Sequence, residues 1–172
     1  MTASGGISDS GQLDVTGDAV LVAQDGDLLL STAGSNFGTL NVTGNNIDVT
    51  ESGDTNLAGV ATHGTFTLTS TGDVSQSGKI AVDGDASVTT GATKDITLDE
   101  TGGTNNFGTL AFSGDNVTIY ESSNTDLEAS SAGTALTIYS LGNISANGAV
   151  TSGDGTDLKA NNGNGSIDVS QA

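Results

Sequence analysis

Asn36-Phe37-Gly38-Thr39-Leu40 returns seventy positions later as Asn106-Phe107-Gly108-Thr109-Leu110. The match extends outward from these five residues. Gly44, Asn46, Ile47 and Val49 fall on Gly114, Asn116, Val117 and Ile119. Glu51-Ser52, Thr55 and Leu57 fall on Glu121-Ser122, Thr125 and Leu127. Leu68, Gly72, Val74 and Ser75 fall on Ile138, Gly142, Ile144 and Ser145. The amino-terminal part joins with a shift of 67, so that Val15, Gly17 and Asp18 meet Val82, Gly84 and Asp85. Near the end, Ile167 and Val169 meet Ile96 and Leu98 at a shift of 71. Residues 1–172 thus hold about two and a half copies of one unit of about 70 residues, the signature of a repeat architecture.

Each unit divides into short alternating segments, such as Asn46-Ile47-Asp48-Val49-Thr50 and Thr65-Phe66-Thr67-Leu68-Thr69. A period of two is that of a half-buried strand. Gly, Asn and Asp pairs separate the segments and supply turns. No window has helical spacing. The expectation is an all-β, right-handed parallel β-helix, a single rod with three short strands and about 23 residues in each coil, hence about three coils per unit and about seven in all. At about 4.8 Å per coil the rod is about 35 Å long. Its predicted core is Phe37, Leu40, Ile47, Leu57, Leu68, Ile80, Ile96, Phe107, Leu110, Val117, Leu127 and Ile138. Phe37 and Phe107 are expected to fill one interior position in successive units.

Composition sets limits. Leu, Ile, Val and Phe make up about 22% of the chain, close to the roughly 20% level below which a highly charged chain is disordered, so pattern rather than content argues for a fold. Three Lys stand against 21 acidic residues, for a formal charge of −18. That charge excludes nucleic acid and anionic membrane surfaces as partners. No apolar run approaches the roughly 18 residues of a membrane span. Cys is absent, which removes disulfides and thiolate metal sites. Met1 is followed by Thr-Ala-Ser-Gly-Gly and not by a basic and then apolar leader, so the chain reads as an internal segment of a longer protein.

The phrases Val74-Ser75-Gln76-Ser77-Gly78-Lys79-Ile80-Ala81-Val82, Asp95-Ile96-Thr97-Leu98, Asn105-Asn106-Phe107-Gly108-Thr109-Leu110 and Asn116-Val117-Thr118-Ile119 resemble the degenerate repeats of filamentous-haemagglutinin-like exoproteins and related β-strand-repeat adhesins. The resemblance covers nearly the whole chain. It implies a right-handed β-helix, an extracellular or cell-surface location, export by a partner outer-membrane transporter, and a part in adhesion or fibre formation.

Candidate chemistry is sparse. His63 is the lone His and is expected in a solvated loop. Asp25, Asp27, Asp83 and Asp85 form two Asp-Gly-Asp turns that resemble fragments of calcium loops. Calcium needs six to eight oxygens, and Asp-Gly-Asp is also ordinary turn chemistry, so calcium is the only cofactor weighed. Glu51 and Glu121 recur at strand ends and are read as solvated corners, too far apart for an acid–base pair. Asn36, Asn46, Asn106 and Asn116 are expected to hydrogen-bond along the rod from its turns. The Asn-x-Ser/Thr triplets at Asn41, Asn116, Asn143 and Asn164 are expected by chance in such a composition. Thr65, Thr67 and Thr69 form a short outward row, which the repeat breaks by placing Tyr139 opposite Thr69. Tyr120 and Tyr139 are expected outward as isolated contacts for sugar or protein.

With no Arg, three Lys and short loops, the reading is not an enzyme. The expected role is a structural or adhesive rod in a large secreted bacterial surface protein. The alternative is a filament subunit that self-associates end to end through open coil edges. A polysaccharide-binding or polysaccharide-degrading β-helix ranks below both. A host or neighbouring-cell surface protein or glycan is the other partner considered.

Overall fold

A computed structural model describes residues 1–99 and 105–169. Among these described residues, twenty strands form one wound sheet, paired in parallel, as a β-solenoid of about eight turns. The sole helical element among the described residues is one turn of 3-10 helix, Asn161–Gly163. At one strand spacing per turn the rod is about 38 Å long.

Two columns of register partners set the coil length. Ile7, Leu28, Ile47, Phe66, Ala86 and Leu110 lie directly over one another. Thr55, Val74, Ile96, Val117, Leu136 and Thr156 form a second column. Most steps are 19–22 residues, and the step from Ala86 to Leu110 is 24. The coils are therefore shorter than the expected 23 residues and correspondingly more numerous.

This difference changes how the repeat maps onto the rod. Three coils from Ile47 reach Leu110, which is 63 residues, not 70. The repeat partner of Ile47 is Val117, and Val117 stands in the second column, over Val74 and Ile96. Each unit is thus three coils plus one face. Phe37 and Phe107 do not share a column: Phe37 lies over Val15, whereas Phe107 lies over Val82, which lies over Thr62. Their local settings are nevertheless alike. In both places the coil below carries a bulge, between Val15 and Asp18 or between Val82 and Asp85.

The bulge explains the recurring Phe-Gly-Thr. A Cβ on Gly38 would stand 2.5 Å from the carbonyl oxygen of Thr16, and one on Gly108 2.4 Å from that of Asp83. Only a residue without a side chain lets the backbones pass there. Alternation then drives the neighbouring Phe and Leu inward.

All twelve predicted core residues are buried, none more than 4% exposed. Phe66, Val82, Val88, Phe112 and Ile119 join them in one continuous cluster. No coil closes its own apolar face. Each buries it against the coils above and below, so stability is a sum over neighbouring interfaces. The ladder also leaves little place for Pro, which cannot donate to it, and Pro is absent.

At the turns, the side chain of one coil bonds the backbone of the next. The Oδ1 of Asp27 accepts from the Asn46 N–H at 3.1 Å, and that of Asn46 accepts from the Thr65 N–H at 3.1 Å. The same step runs from Asp54 to Asp73, from Asp73 to Asp95 and from Asp95 to Asn116, at 2.9–3.0 Å. Of the four Asn expected to bond along the rod, Asn46 and Asn116 do so here, within a ladder made mostly of Asp, because either side chain offers the acceptor.

Candidate functional site

Glu51 and Glu121 are buried, at 1% and 0% exposure, which corrects their reading as solvated corners. The alternation already implied it. In the strand Ile47–Glu51, residues 47, 49 and 51 share the inward face, and the strand Val117–Glu121 repeats this. The Phe37 N–H donates to Glu51 Oε1 at 2.9 Å, and the Phe107 N–H donates to Glu121 Oε1 at 3.0 Å. The recurrent Phe and the recurrent Glu are thus two ends of one interior contact.

Around Glu51 the network is complete. Thr55 Oγ1 lies 2.8 Å from Glu51 Oε2 and 3.1 Å from Ser70 Oγ. Ser70 Oγ donates to the Gly53 carbonyl at 2.7 Å and accepts from the Gly72 N–H at 3.2 Å. Thr125 and Ser140 occupy the same places beside Glu121, with Ser140 Oγ donating to the Ser123 carbonyl at 2.6 Å. Ser123 Oγ adds a bond to Glu121 Oε1 at 3.0 Å. Glu121 Oε2 and Thr125 Oγ1 are buried with no hydrogen-bond partner among the described residues. Burial pushes the carboxyls of Glu51 and Glu121 above the ordinary glutamate value, against the opposing amide and hydroxyl bonds. Desolvation of the charged form is the dominant cause.

A further buried polar group escaped the sequence reading. Asn105 is 1% exposed and exchanges hydrogen bonds with Gln76. Its amide also donates to the carbonyls of Leu98 and Tyr120, at 3.2 and 3.1 Å. Asn105 has no counterpart across the seventy-residue shift, since Ser35 stands there. No repeat signal pointed to it.

The outer surface carries one aromatic feature. Tyr120 and Tyr139 are register partners, and their rings stack at 6.1 Å with 12° between planes. They are not isolated, as the sequence suggested. Lys159 stands next in the column, with Nζ 4.5 Å from the centre of the Tyr139 ring. It donates to Tyr139 Oη at 2.7 Å and pairs with Asp157 at 2.6 Å. Tyr120, Tyr139, Ser140 and the exposed Leu141 line a shallow hollow of about 290 Å³. Both faces of the Tyr139 ring are covered within the column. What this face offers a partner is ring edges, Leu141 and a neutralised Lys–Asp pair.

Tyr139 does not stand over Thr69, and the row from Thr65 to Thr69 continues only in part, since Thr67 lies between Asp48 and Ser87, with Ala111 beyond. Thr69 continues through Thr89, Ser113, Ser131 and Thr151 in its own column, with Thr50 below it. Tyr139 belongs to another face, because the repeat advances by one.

His63 is exposed and its Nδ1 lies 2.6 Å from Asp83 Oδ2. Asp27 Oδ1 accepts from the Asn45 and Asn46 side-chain amides at 3.2 and 2.9 Å, which with the Asn46 N–H holds its carboxyl below the ordinary range. Asp85 accepts from Thr109 Oγ1 at 2.9 Å. Asp27 and Asp85 precede Leu28 and Ala86 in the same column, three coils or about 14 Å apart. The structure does not bring the two Asp-Gly-Asp turns together. No group of three or more His, Cys, Asp or Glu is arranged to hold a metal ion among the described residues.

A family model described as repeats of unknown function (DUF5649) matches residues 1–43, 44–112 and 114–172. The chain belongs to that family. Its middle match ends two residues after Leu110, within the strand Asn106–Gly114, so the family unit and the structural coil have different boundaries. No curated protein and no solved structure matches the chain.

Proposed function

We propose that this chain is a structural and adhesive segment of a large secreted bacterial surface protein, where it acts as a rigid spacer. The observation that carries the reading is the uninterrupted column of buried side chains, one coil on the next, from Ile7 to Leu110 and on through Leu127 to Ala146. Such an array gains length by adding coils and keeps its cross-section. The resemblance to filamentous-haemagglutinin-like repeats supports an extracellular place for it. We read the chain as non-catalytic. Its recurrent glutamates face the interior, and His63 stands at the surface beside Asp83.

The exposed Tyr139 and Leu141 are the part of the surface best suited to contact a protein or glycan on another cell. The alternative reading is a filament subunit. Each terminal coil edge presents backbone donors and acceptors to whatever stacks next, so a second copy of the chain fits there.

Antibodies raised against the folded chain test the location. Labelling of intact source cells before permeabilisation is expected. Labelling confined to lysed cells sinks the surface reading. Small-angle scattering that grows with concentration toward long rods of unchanged cross-section would favour the filament.

A further inference from the structure

The two interior glutamate networks show a feature that neither a spacer nor an adhesin requires. Apolar side chains of similar size would fill the space, and burying a carboxylate without a counter-charge is costly. Among the described residues no cation reaches either glutamate. The charged groups on the elements around Glu51 are Asp27 and Asp48 toward the outer side, and Asp54 and Asp73, both held from outside by Lys94 at 3.9 and 3.5 Å. Those around Glu121 are Asp126, which also disfavours its ionised form, and the outer Asp95 and Asp99. The nearby Tyr120 and Tyr139 are paired with each other on the outer face.

The hydrogens of the first network can be arranged in two ways. With Glu51 ionised, the Thr55 hydroxyl donates to Oε2. With Glu51 neutral, Oε2–H donates to Thr55 Oγ1, Thr55 donates to Ser70 Oγ, and Ser70 donates to the Gly53 carbonyl. Both arrangements satisfy every member at the observed distances. They differ in a buried charge and in the Thr55–Ser70 bond, which has a hydrogen only when Glu51 is neutral, because the single Thr55 hydroxyl cannot donate to both Glu51 Oε2 and Ser70 Oγ. In the second network Glu121 Oε2 is buried with no hydrogen-bond partner among the described residues, so an ionised Glu121 would leave that oxygen's charge unsatisfied.

We propose that Glu51 and Glu121 are twin proton-binding positions inside the solenoid, each of which takes up one proton as the surroundings acidify and so removes a buried charge that no cation offsets, stabilising the coils packed around it. The seventy-residue repeat carries the whole device. Phe37, Glu51, Gly53, Thr55, Ser70 and Gly72 recur as Phe107, Glu121, Ser123, Thr125, Ser140 and Gly142. Only Gly53 changes: the Ser123 carbonyl accepts from Ser140 as that of Gly53 does from Ser70, and the Ser123 hydroxyl adds its bond to Glu121 Oε1.

The sign follows from linkage. A carboxyl whose folded pKa is raised contributes stability that is fully present below the unfolded value and is lost as pH rises through the folded one. Within that window each position changes the folded-to-unfolded ratio by up to tenfold per pH unit.

The test is a pair of titrations on the whole chain. The first follows the infrared carbonyl stretch of protonated carboxyl groups from pH 8 to pH 4, in the wild type and in E51Q and E121Q. Two bands that appear well above the pH of the surface carboxylates are expected, one lost in each variant. The second follows urea midpoints over the same range. Each Glu→Gln change should remove one position's share of the rise on acidification, and the double variant both shares. The control D157N, at an exposed carboxylate, should leave that share in place. Wild-type bands that titrate together with the surface carboxylates overturn the proposal. So does an unchanged pH slope in a folded E51Q/E121Q protein. If the Gln variants fail to fold, the wild-type infrared titration alone decides.

Discussion

Replacing Phe66 by Ala removes the largest side chain from the column Ile47, Phe66, Ala86, Leu110. Phe66 is fully buried, and Ala86 directly above it is 2% exposed. The small residue gives the ring its room. A buried Phe→Ala change costs about 3–5 kcal/mol in transfer and cavity terms. Ala86→Phe alone overpacks a filled column and costs about 1–3 kcal/mol. If the two sites were independent, the double variant would lose about 4–8 kcal/mol. In a shared column the ring at position 86 leans into the hole left at 66, and the loss should fall to about 1–3 kcal/mol. The assay is urea unfolding by far-UV circular dichroism, since the chain has no Trp to report. Equal m-values across the four proteins confirm that the same surface unfolds. Additive losses in a folded double variant would mean that positions 66 and 86 do not share one interior column, and the coil assignment fails with them.

Three further outcomes follow from the same geometry. The chain has no native Cys, so engineered pairs report register cleanly: T69C/T89C should oxidise to an intramolecular disulfide, whereas T69C/Y139C, one repeat apart, should not. Gly108→Ala forces a Cβ to 2.4 Å from the Asp83 carbonyl, and should lower the thermal midpoint far more than Gly155→Ala, where the new methyl meets open space. Asp27 shows the opposite pH behaviour to Glu51. Its folded carboxyl is held low by the Asn45 and Asn46 bonds, so its contribution is present above the unfolded value and lost as pH falls through the folded one. D27A should therefore flatten the acid limb of the stability curve. Calcium should not raise the midpoint of wild type more than of D27A, and a specific calcium shift would reinstate the Asp-Gly-Asp turns as a metal site.

The amino-acid order alone determined that this chain builds parallel coils with Leu, Ile, Val and Phe inside. Alternation sends every second side chain inward wherever a strand forms, and a seventy-residue self-match makes distant segments alike. The same alternation had already placed Glu51, Thr55 and Ser70 on the inner face. A carboxylate's charge argues for the surface and the period argues for the interior, and at Glu51 the period prevails. Recurrence across the repeat, as Glu121, Thr125 and Ser140, is the sequence signal for that interior place. What only the tertiary structure decided was phase. A repeat counts residues, whereas a coil closes where its backbone meets the strand beneath, and bulges and turns of unequal length set that point. The remainder of one face separated Phe37 from Phe107, stacked Tyr120 on Tyr139, and let the row from Thr69 run on through Ser113 to Thr151.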